Sequence, residues 1–335
     1  MFIPEKVIIE KKALEYELGN TLLKYFKENN IEVVINSSNR ITGIGGKTPL
    51  EMYSKGKNTL VVGIRKDLKF QSCKPSAHYQ LPLVTGCMGM CEYCYLNTQL
   101  GKRPYIKINV NIDEILNRAK QYADDRLPEN TIFEGAATSD PIPVEPYTHA
   151  LRKSIEFFSK SNNMKFRFVS KYDDIEGLIG IKHNNKTEVR FSINTNYIIK
   201  KFEHKTPLLE KRIAAAKKLF DDGYKIGFLI APVFIYDNWK KEYGDLIERV
   251  GTEFKGKNIT FEIISHRFTS RAKTNILDVF PQTKLPMNEE ERKFKYGQFG
   301  YGKFVYENAI MNDIKTFFTS QLNQYFDHNN LIYII

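Results

Sequence analysis

Along most of the chain, short runs rich in β-branched and aromatic residues alternate with segments whose apolar positions recur at helical spacing. The first part predicts strands over residues 7–10, 32–36 and 59–64 and a helix over 13–28, which together make a small α/β lobe. An apolar run at 79–84 follows, then strands over 131–133, 166–170, 188–193, 226–231 and 259–264. Amphipathic helices are predicted between them, over 113–123, 146–159, 207–221 and 239–250. Thr206 and Pro207 read as a hydroxyl cap and a first-turn proline, with Gly223 just past the end of that helix. Counted from the run at 79–84, the pattern makes six β/α units, which suits an open partial TIM-type barrel better than a closed one of eight. The expected division is 1–76 for the α/β lobe, 77–284 for the partial barrel and 285–335 for a C-terminal extension. In that extension the aromatic, glycine-rich KYGQFGYGKFVY predicts a hairpin, followed by an amphipathic helix and a last apolar strand over 331–335.

Composition narrows the class. The chain has 335 residues, 42% of them hydrophobic, enough for a substantial core. No apolar run approaches the length a membrane span needs, so no membrane partner is expected. A formal charge of +11 favours nucleic acid or another phosphate-rich partner, although a lysine-rich proteome produces the same excess. The N-terminal MFIPEKVIIEKKA carries charges where a secretory signal has its apolar stretch, so a reducing cytoplasm is expected.

The chemistry concentrates in TGCMGMCEYCYLNTQ. Cys87, Cys91 and Cys94, three of the four cysteines, form a Cys-x3-Cys-x2-Cys loop, with Gly86 and Gly89 free to bend around a cluster. Structural zinc is the alternative, but such sites pair two short cysteine hooks and Cys73 stands alone upstream. Disulfides suit a reducing compartment poorly, and incidental thiols are the remaining reading. Active groups of α/β barrels collect at the carboxyl ends of strands. There the chain offers the cysteine loop, Ala136 to Asp140, Lys171, Asn194, Ala231 with Pro232, and His266 with Arg267.

The cysteine spacing resembles the radical SAM signature, in which three cysteines hold a 4Fe-4S cluster and S-adenosylmethionine binds the fourth iron. The ordered phrases CEYCYL, TSD, RFVSK, RFSIN, LIAP and SHRFT resemble the spore photoproduct lyase family more narrowly, over about residues 79–303. That family reverses a methylene-bridged thymine dimer in spore DNA. The resemblance implies a six-unit partial barrel of radical SAM type, with a hairpin near the lesion. It also implies cluster ligands Cys87, Cys91 and Cys94, and Ser139, Lys171, Ser192 and Ala231 around S-adenosylmethionine. Tyr93 and Tyr95 would relay hydrogen atoms, where the plainer reading is aromatic packing of the loop. Ultraviolet-damaged duplex DNA, an electron donor such as a flavodoxin or ferredoxin, and residence in the spore core are implied with it.

One departure stands out. Better known members have a cysteine in the phrase at the second strand end, which quenches the product radical; here GAATSD puts Ala137 there. Cys73, in a loop expected to reach over the strand ends, is the remaining thiol and the candidate donor. The resemblance then implies a deoxyadenosyl radical that takes a hydrogen atom from the lesion and cleavage of the bridge; quenching by Cys73 is the expectation for this chain, with a merely packed thiol as the alternative reading. Arg292, Lys293, Lys295 and Lys303 around the hairpin are expected at DNA phosphates. Two rival functions remain: a radical SAM enzyme for RNA or peptide, and a non-catalytic zinc-stabilised nucleic-acid-binding protein.

Overall fold

The computed structural model describes residues 2–38, 40–296, 300 and 302–335, with residues 97 and 98 described by backbone only. Its first sheet has five strands, in the order Glu32–Asn36, Lys6–Glu10, Thr59–Gly63, Ile106–Asn109 and Val84–Thr85. The first four are parallel and the last is antiparallel. Thr59–Gly63 is buried throughout, as a central parallel strand covered on both faces must be. The helix expected over 13–28 is instead a 3-10 turn, Lys11–Glu15, followed by an α-helix, Glu17–Glu28. The two meet at Gly19, where a Cβ would lie 1.9 Å from the Ala13 carbonyl oxygen; the backbone folds onto itself because no side chain intervenes. Helix Pro49–Lys57 was not expected from the apolar pattern, yet it carries a capping box between Thr48 and Glu51 and a proline in its first turn.

The apolar run at 79–84 divides between two sheets. Ala77–Gln80 begins the barrel beside Thr131–Glu134, whereas Val84–Thr85 pairs with Ile106–Asn109 of the first sheet. Pro82 lies at the handover, where it has no N–H to give to a ladder. The lobe's sheet therefore takes strands from both sides of residue 76, and one hydrophobic core runs without interruption from Phe2 to Phe326.

The second sheet has eight strands. Six run parallel in chain order: Ala77–Gln80, Thr131–Glu134, Met164–Ser170, Thr187–Ile193, Lys225–Val233 and Thr260–Ser265. These are the six expected barrel strands. Leu331–Ile334 adds a seventh parallel strand at one edge, and Ser72–Cys73 an antiparallel one at the other. Helices Ile112–Asp124, Ala150–Ser159, Leu209–Asp221 and Trp239–Phe254 cover the outside with their buried faces. Thr206 does not cap the third of these. That helix follows Leu208, which makes no side-chain cap, while the Thr206 hydroxyl donates to the Glu203 carbonyl at 2.9 Å.

Alternate strand residues point inward, and one interior layer is charged. Glu262 accepts from Arg167 at 2.5 Å and from Arg190 at 2.6 Å, and Arg190 also pairs with Glu134. Arg167 reaches Glu188 at 3.1 Å, and the Tyr333 hydroxyl of the last strand donates to Glu262 at 3.0 Å. No helix among the described residues is long and apolar enough to cross a membrane.

Candidate active site

The cysteine loop leaves strand Val84–Thr85 at Gly86. Its φ of 85° is left-handed, and a Cβ there would fall 2.4 Å from the Tyr105 carbonyl oxygen, so glycine alone fits. The Gly86 N–H donates to the Thr138 carbonyl at 2.9 Å, which ties the loop to the end of the second barrel strand. Met90–Cys91 then pairs antiparallel with Glu203–His204. From the first lobe, the buried Lys57 ammonium donates to the Cys87 carbonyl at 2.7 Å.

Cys91 is buried and Cys87 and Cys94 are partly exposed. Burial pushes the Cys87 thiol up to about 12, with Asp140 adding to it, and lifts Cys91 well above its ordinary range with help from Glu203. Cys94 acts electrostatically on both, so the three sulfurs share one neighbourhood. Thiols so disfavoured as anions are ionised by a metal's charge. Among the described residues no three His, Cys, Asp or Glu side chains gather as they would around one ion. A 4Fe-4S cluster takes its three cysteines on separate irons, so the fit lies in the loop that carries them.

Beside the loop lies a polar network at the carboxyl ends of the strands. The Lys171 ammonium donates to Ser192 Oγ at 2.8 Å and to Glu203 Oε1 at 3.3 Å. Glu203 also accepts from the Tyr93 hydroxyl and, at 2.6 Å, from the fully buried Arg212. Arg212 in turn donates to the Ser192 carbonyl at 2.9 Å. Burial alone would raise the Glu203 carboxyl, but Lys171 and Arg212 outweigh it and hold the group below its usual value. Asp140 accepts from Ser170 Oγ at 2.7 Å and from the Lys171 N–H at 2.9 Å, and burial raises its carboxyl to about 6. The Ser139 hydroxyl, bridged to Gly86 through the backbone, is buried with no partner among the described groups. An orphaned hydroxyl there suits a polar ligand held against the loop. Ala231 is half-buried near the end of the fifth strand.

The two tyrosines differ. Tyr93 packs against Phe234 at 5.7 Å, and burial lifts its phenol well above the usual value, which preserves its O–H. Tyr95 is 55% exposed, and its hydroxyl donates to the Ala137 carbonyl. The loop's exposed phenol thus sits on Ala137, the residue in GAATSD where the resemblance leads one to expect a cysteine.

Other expected residues land elsewhere. Cys73 lies in the edge strand Ser72–Cys73, opposite Ala77 at the amino end of the first barrel strand, and not in a loop over the carboxyl ends. Burial, with the nearby Glu134, pushes its thiol up to about 12, so the sulfur keeps its proton beside the charged interior layer. Arg292 is not a surface contact. Its guanidinium is buried, donates to the His266 carbonyl at 3.0 Å and the Pro286 carbonyl at 2.9 Å, and lies 3.6 Å over the Tyr306 ring. Its donors are turned inward, so none faces a phosphate. Lys293 and Lys295 are exposed and Lys303 half-exposed, on strands Lys293–Tyr296 and Gly302–Val305. These pair as the expected hairpin, whose residues 297–299 and 301 lie outside the described set. The motif reading missed Lys57, Glu203 and Arg212, since none sits at a strand's carboxyl end and a lone charged residue carries no pattern; EHKTP after an amphipathic segment was the only cue to Glu203.

Comparison with known proteins agrees over the whole chain. The family model described as spore photoproduct lyase matches residues 2–335. The spore photoproduct lyase of Clostridium acetobutylicum is 55% identical over 330 residues, 98% of each chain. That of Bacillus subtilis is 44% identical over 337, covering 97% of this chain and 98% of the relative. Among solved structures, a spore photoproduct lyase complexed with dinucleoside spore photoproduct superposes with a TM-score of 0.97 at 41% identity, covering 100% of this chain and 99% of that one. A mutant of the lyase with bound AdoMet and the same dinucleoside also gives 0.97, at 42% identity and the same coverage. With the six-stranded partial barrel, the three-cysteine loop and these full-length likenesses in agreement, the chain belongs to the spore photoproduct lyase family.

Proposed function

We propose that this chain is a radical SAM lyase that reverses the spore photoproduct in DNA to two thymines. The observation that carries the reading is the full-length likeness, at TM-score 0.97, to a lyase solved with both AdoMet and the lesion dinucleoside. When bound, the reduced cluster and S-adenosylmethionine supply the radical that takes a hydrogen atom from the lesion.

The chain's own groups supply binding, orientation and hydrogen return. Cys87, Cys91 and Cys94 hold the cluster. The Lys171 ammonium, steadied by Ser192 and Glu203, and the orphaned Ser139 hydroxyl would hold the polar groups of S-adenosylmethionine, and Ala231 would contribute to the same site. Once the bridge opens, Cys73 gives its hydrogen atom to the thymine radical, which requires the lesion to reach into the barrel towards the edge strand and Glu134: the S–H bond breaks, a C–H bond forms, and a thiyl remains. Only a protonated thiol can do this, and burial favours that state at Cys73. Tyr95 and Tyr93 return a hydrogen atom from the cofactor's side through their O–H groups, which restores the thiol. A solved relative whose mutations exchange a cysteine for alanine and a serine for cysteine makes the kind of trade that Ala137 and Cys73 represent.

The natural substrate is ultraviolet-damaged duplex DNA in the spore core, from which the poorly stacked lesion is extruded. Lys293, Lys295 and Lys303 hold its phosphates, and a flavodoxin or ferredoxin supplies the electron. Anaerobic incubation of reconstituted protein with S-adenosylmethionine, reductant and a spore-photoproduct dinucleotide should yield the unlinked thymine dinucleotide. Cleavage of S-adenosylmethionine without that product would overturn the substrate assignment. Cys73→Ala should still open the lesion but divert the radical into adducts with the reductant; clean repair by this variant would remove Cys73 from the mechanism.

A further inference from the structure

Arg267 lies just beyond the sixth barrel strand, where that strand end meets the hairpin. Phe268 exchanges both backbone hydrogen bonds with Phe304, at 3.2 and 2.7 Å, so the segment runs antiparallel beside Gly302–Val305. That strand pairs with Lys293–Tyr296 in the register Phe294 to Phe304 and Lys295 to Lys303. Strand alternation then sorts the side chains into two faces. Phe268, Phe304 and Phe294 share one, with rings 5.3 and 5.2 Å apart. Arg267, Lys303, Lys295 and Lys293 share the other. Arg267 and Lys295 both press on the Lys303 charge, as groups crowded on one face do.

No carboxylate among the described residues pairs with any of the four, and Arg267 makes no hydrogen bond to a described group. Like charges opposed across a ladder are destabilising, and a half-buried guanidinium without a partner more so. Such a face is eased by an anion, and most of all at the half-buried Arg267. Arg267 lies nearest the barrel mouth, with the lysines outward along the hairpin, and a guanidinium binds phosphate through two parallel bonds.

We propose that Arg267 binds the phosphodiester joining the two thymidines of the lesion, with Lys303, Lys295 and Lys293 continuing the track along the flanking backbone. This rests on the repair reading above.

A dinucleoside lesion, the form held in the solved relative, lacks that diester, so two small substrates isolate the contact. Wild type should prefer the dinucleotide lesion to the dinucleoside by roughly tenfold to a hundredfold in kcat/KM, the range for a charge-assisted contact. In Arg267→Gln the ratio should fall to near one, and Arg267→Lys should keep part of it. Equal losses on both substrates, or a preference that survives in Arg267→Gln, would overturn the proposal. A trinucleotide with a methylphosphonate at the lesion's own diester should lose the part of the preference that Arg267→Gln removes; if that part follows the flanking diester instead, the assigned phosphate is wrong. Affinities measured without reductant separate the two readings. Tighter binding of the dinucleotide with repair of neither substrate would sink the repair assignment and leave the role of Arg267 standing.

Discussion

The barrel interior and the hairpin face both collect charge, and they treat it in opposite ways. Inside, Arg167 and Arg190 meet Glu134, Glu188 and Glu262 at ion-pair distance, and Tyr333 donates to the same cluster. On the hairpin, Lys293, Lys295 and Lys303 have no acidic partner among the described residues. Desolvated charge has to be answered within the fold, because a dry interior offers nothing else. Exposed charge can wait for a partner, at the cost of mutual repulsion that salt and water mute. Arg292 shows that sequence neighbours can fall on either side of this divide: it adjoins Lys293, yet its donors close on His266 and Pro286.

The interior offers the hardest test. Glu262→Leu leaves two buried guanidinium groups short of counter-charge and should destabilise the fold by about 3–5 kcal/mol in urea melts. A loss below about 1 kcal/mol would mean that the layer is wetter than the packing implies.

A buried carboxyl paired only with backbone and hydroxyl groups sharpens the contrast. Glu145 accepts from the N–H groups of Leu151 at 2.7 Å and Arg152 at 2.9 Å, and burial raises it from 4.5 to about 7. Between those values the folded state holds the extra proton, so this group's contribution falls as pH climbs from 4.5 towards 7 and is level above that. Glu262 has the opposite sign: Arg190 and Arg167 overcome its burial and hold it low, so its contribution is lost as pH falls through the acid range. Glu145→Gln should therefore remove a decline in stability between acid and neutral pH, on the order of 1.4 kcal/mol for each pH step of one across that window, and leave the acid limb in place. Melting curves across that range that superpose with wild type would refute it.

On the hairpin, Lys293, Lys295 and Lys303 changed together to Ala should weaken duplex binding and flatten its salt dependence by roughly one unit per lysine, with folding little changed. An unaltered slope would take these lysines off the DNA. The smallest effect is expected at an exposed pair. Lys240 and Asp313, 2.7 Å apart and about half exposed, should contribute less than about 1 kcal/mol in a double-mutant cycle. A larger coupling would blur the line drawn between interior and surface.

Local patterns carried much of this protein's description. The Cys-x3-Cys-x2-Cys loop, the six barrel strands and the hairpin were legible because each depends on neighbours within a few residues: thiols close enough to share a cluster, an apolar run, a glycine-rich turn. Helix Pro49–Lys57 was legible too, through its capping box, although the apolar pattern overlooked it. Three-dimensional packing decided the rest. Pro82 shows why 79–84 cannot be one strand, but only the sheets decide that its two halves part company. Lys57 and Arg212 meet the site from elements whose charges carry no motif, since burial and long-range contact are not properties of a residue's own neighbours. Likewise Cys73 could be read as a spare thiol, yet its place beside the interior charge layer follows from an antiparallel edge pairing that no local pattern encodes. The sequence by itself determined which chemistry the chain could hold; the tertiary structure decided which charges are consumed by the fold and which are left facing solvent, because that depends on what lies opposite each group in space.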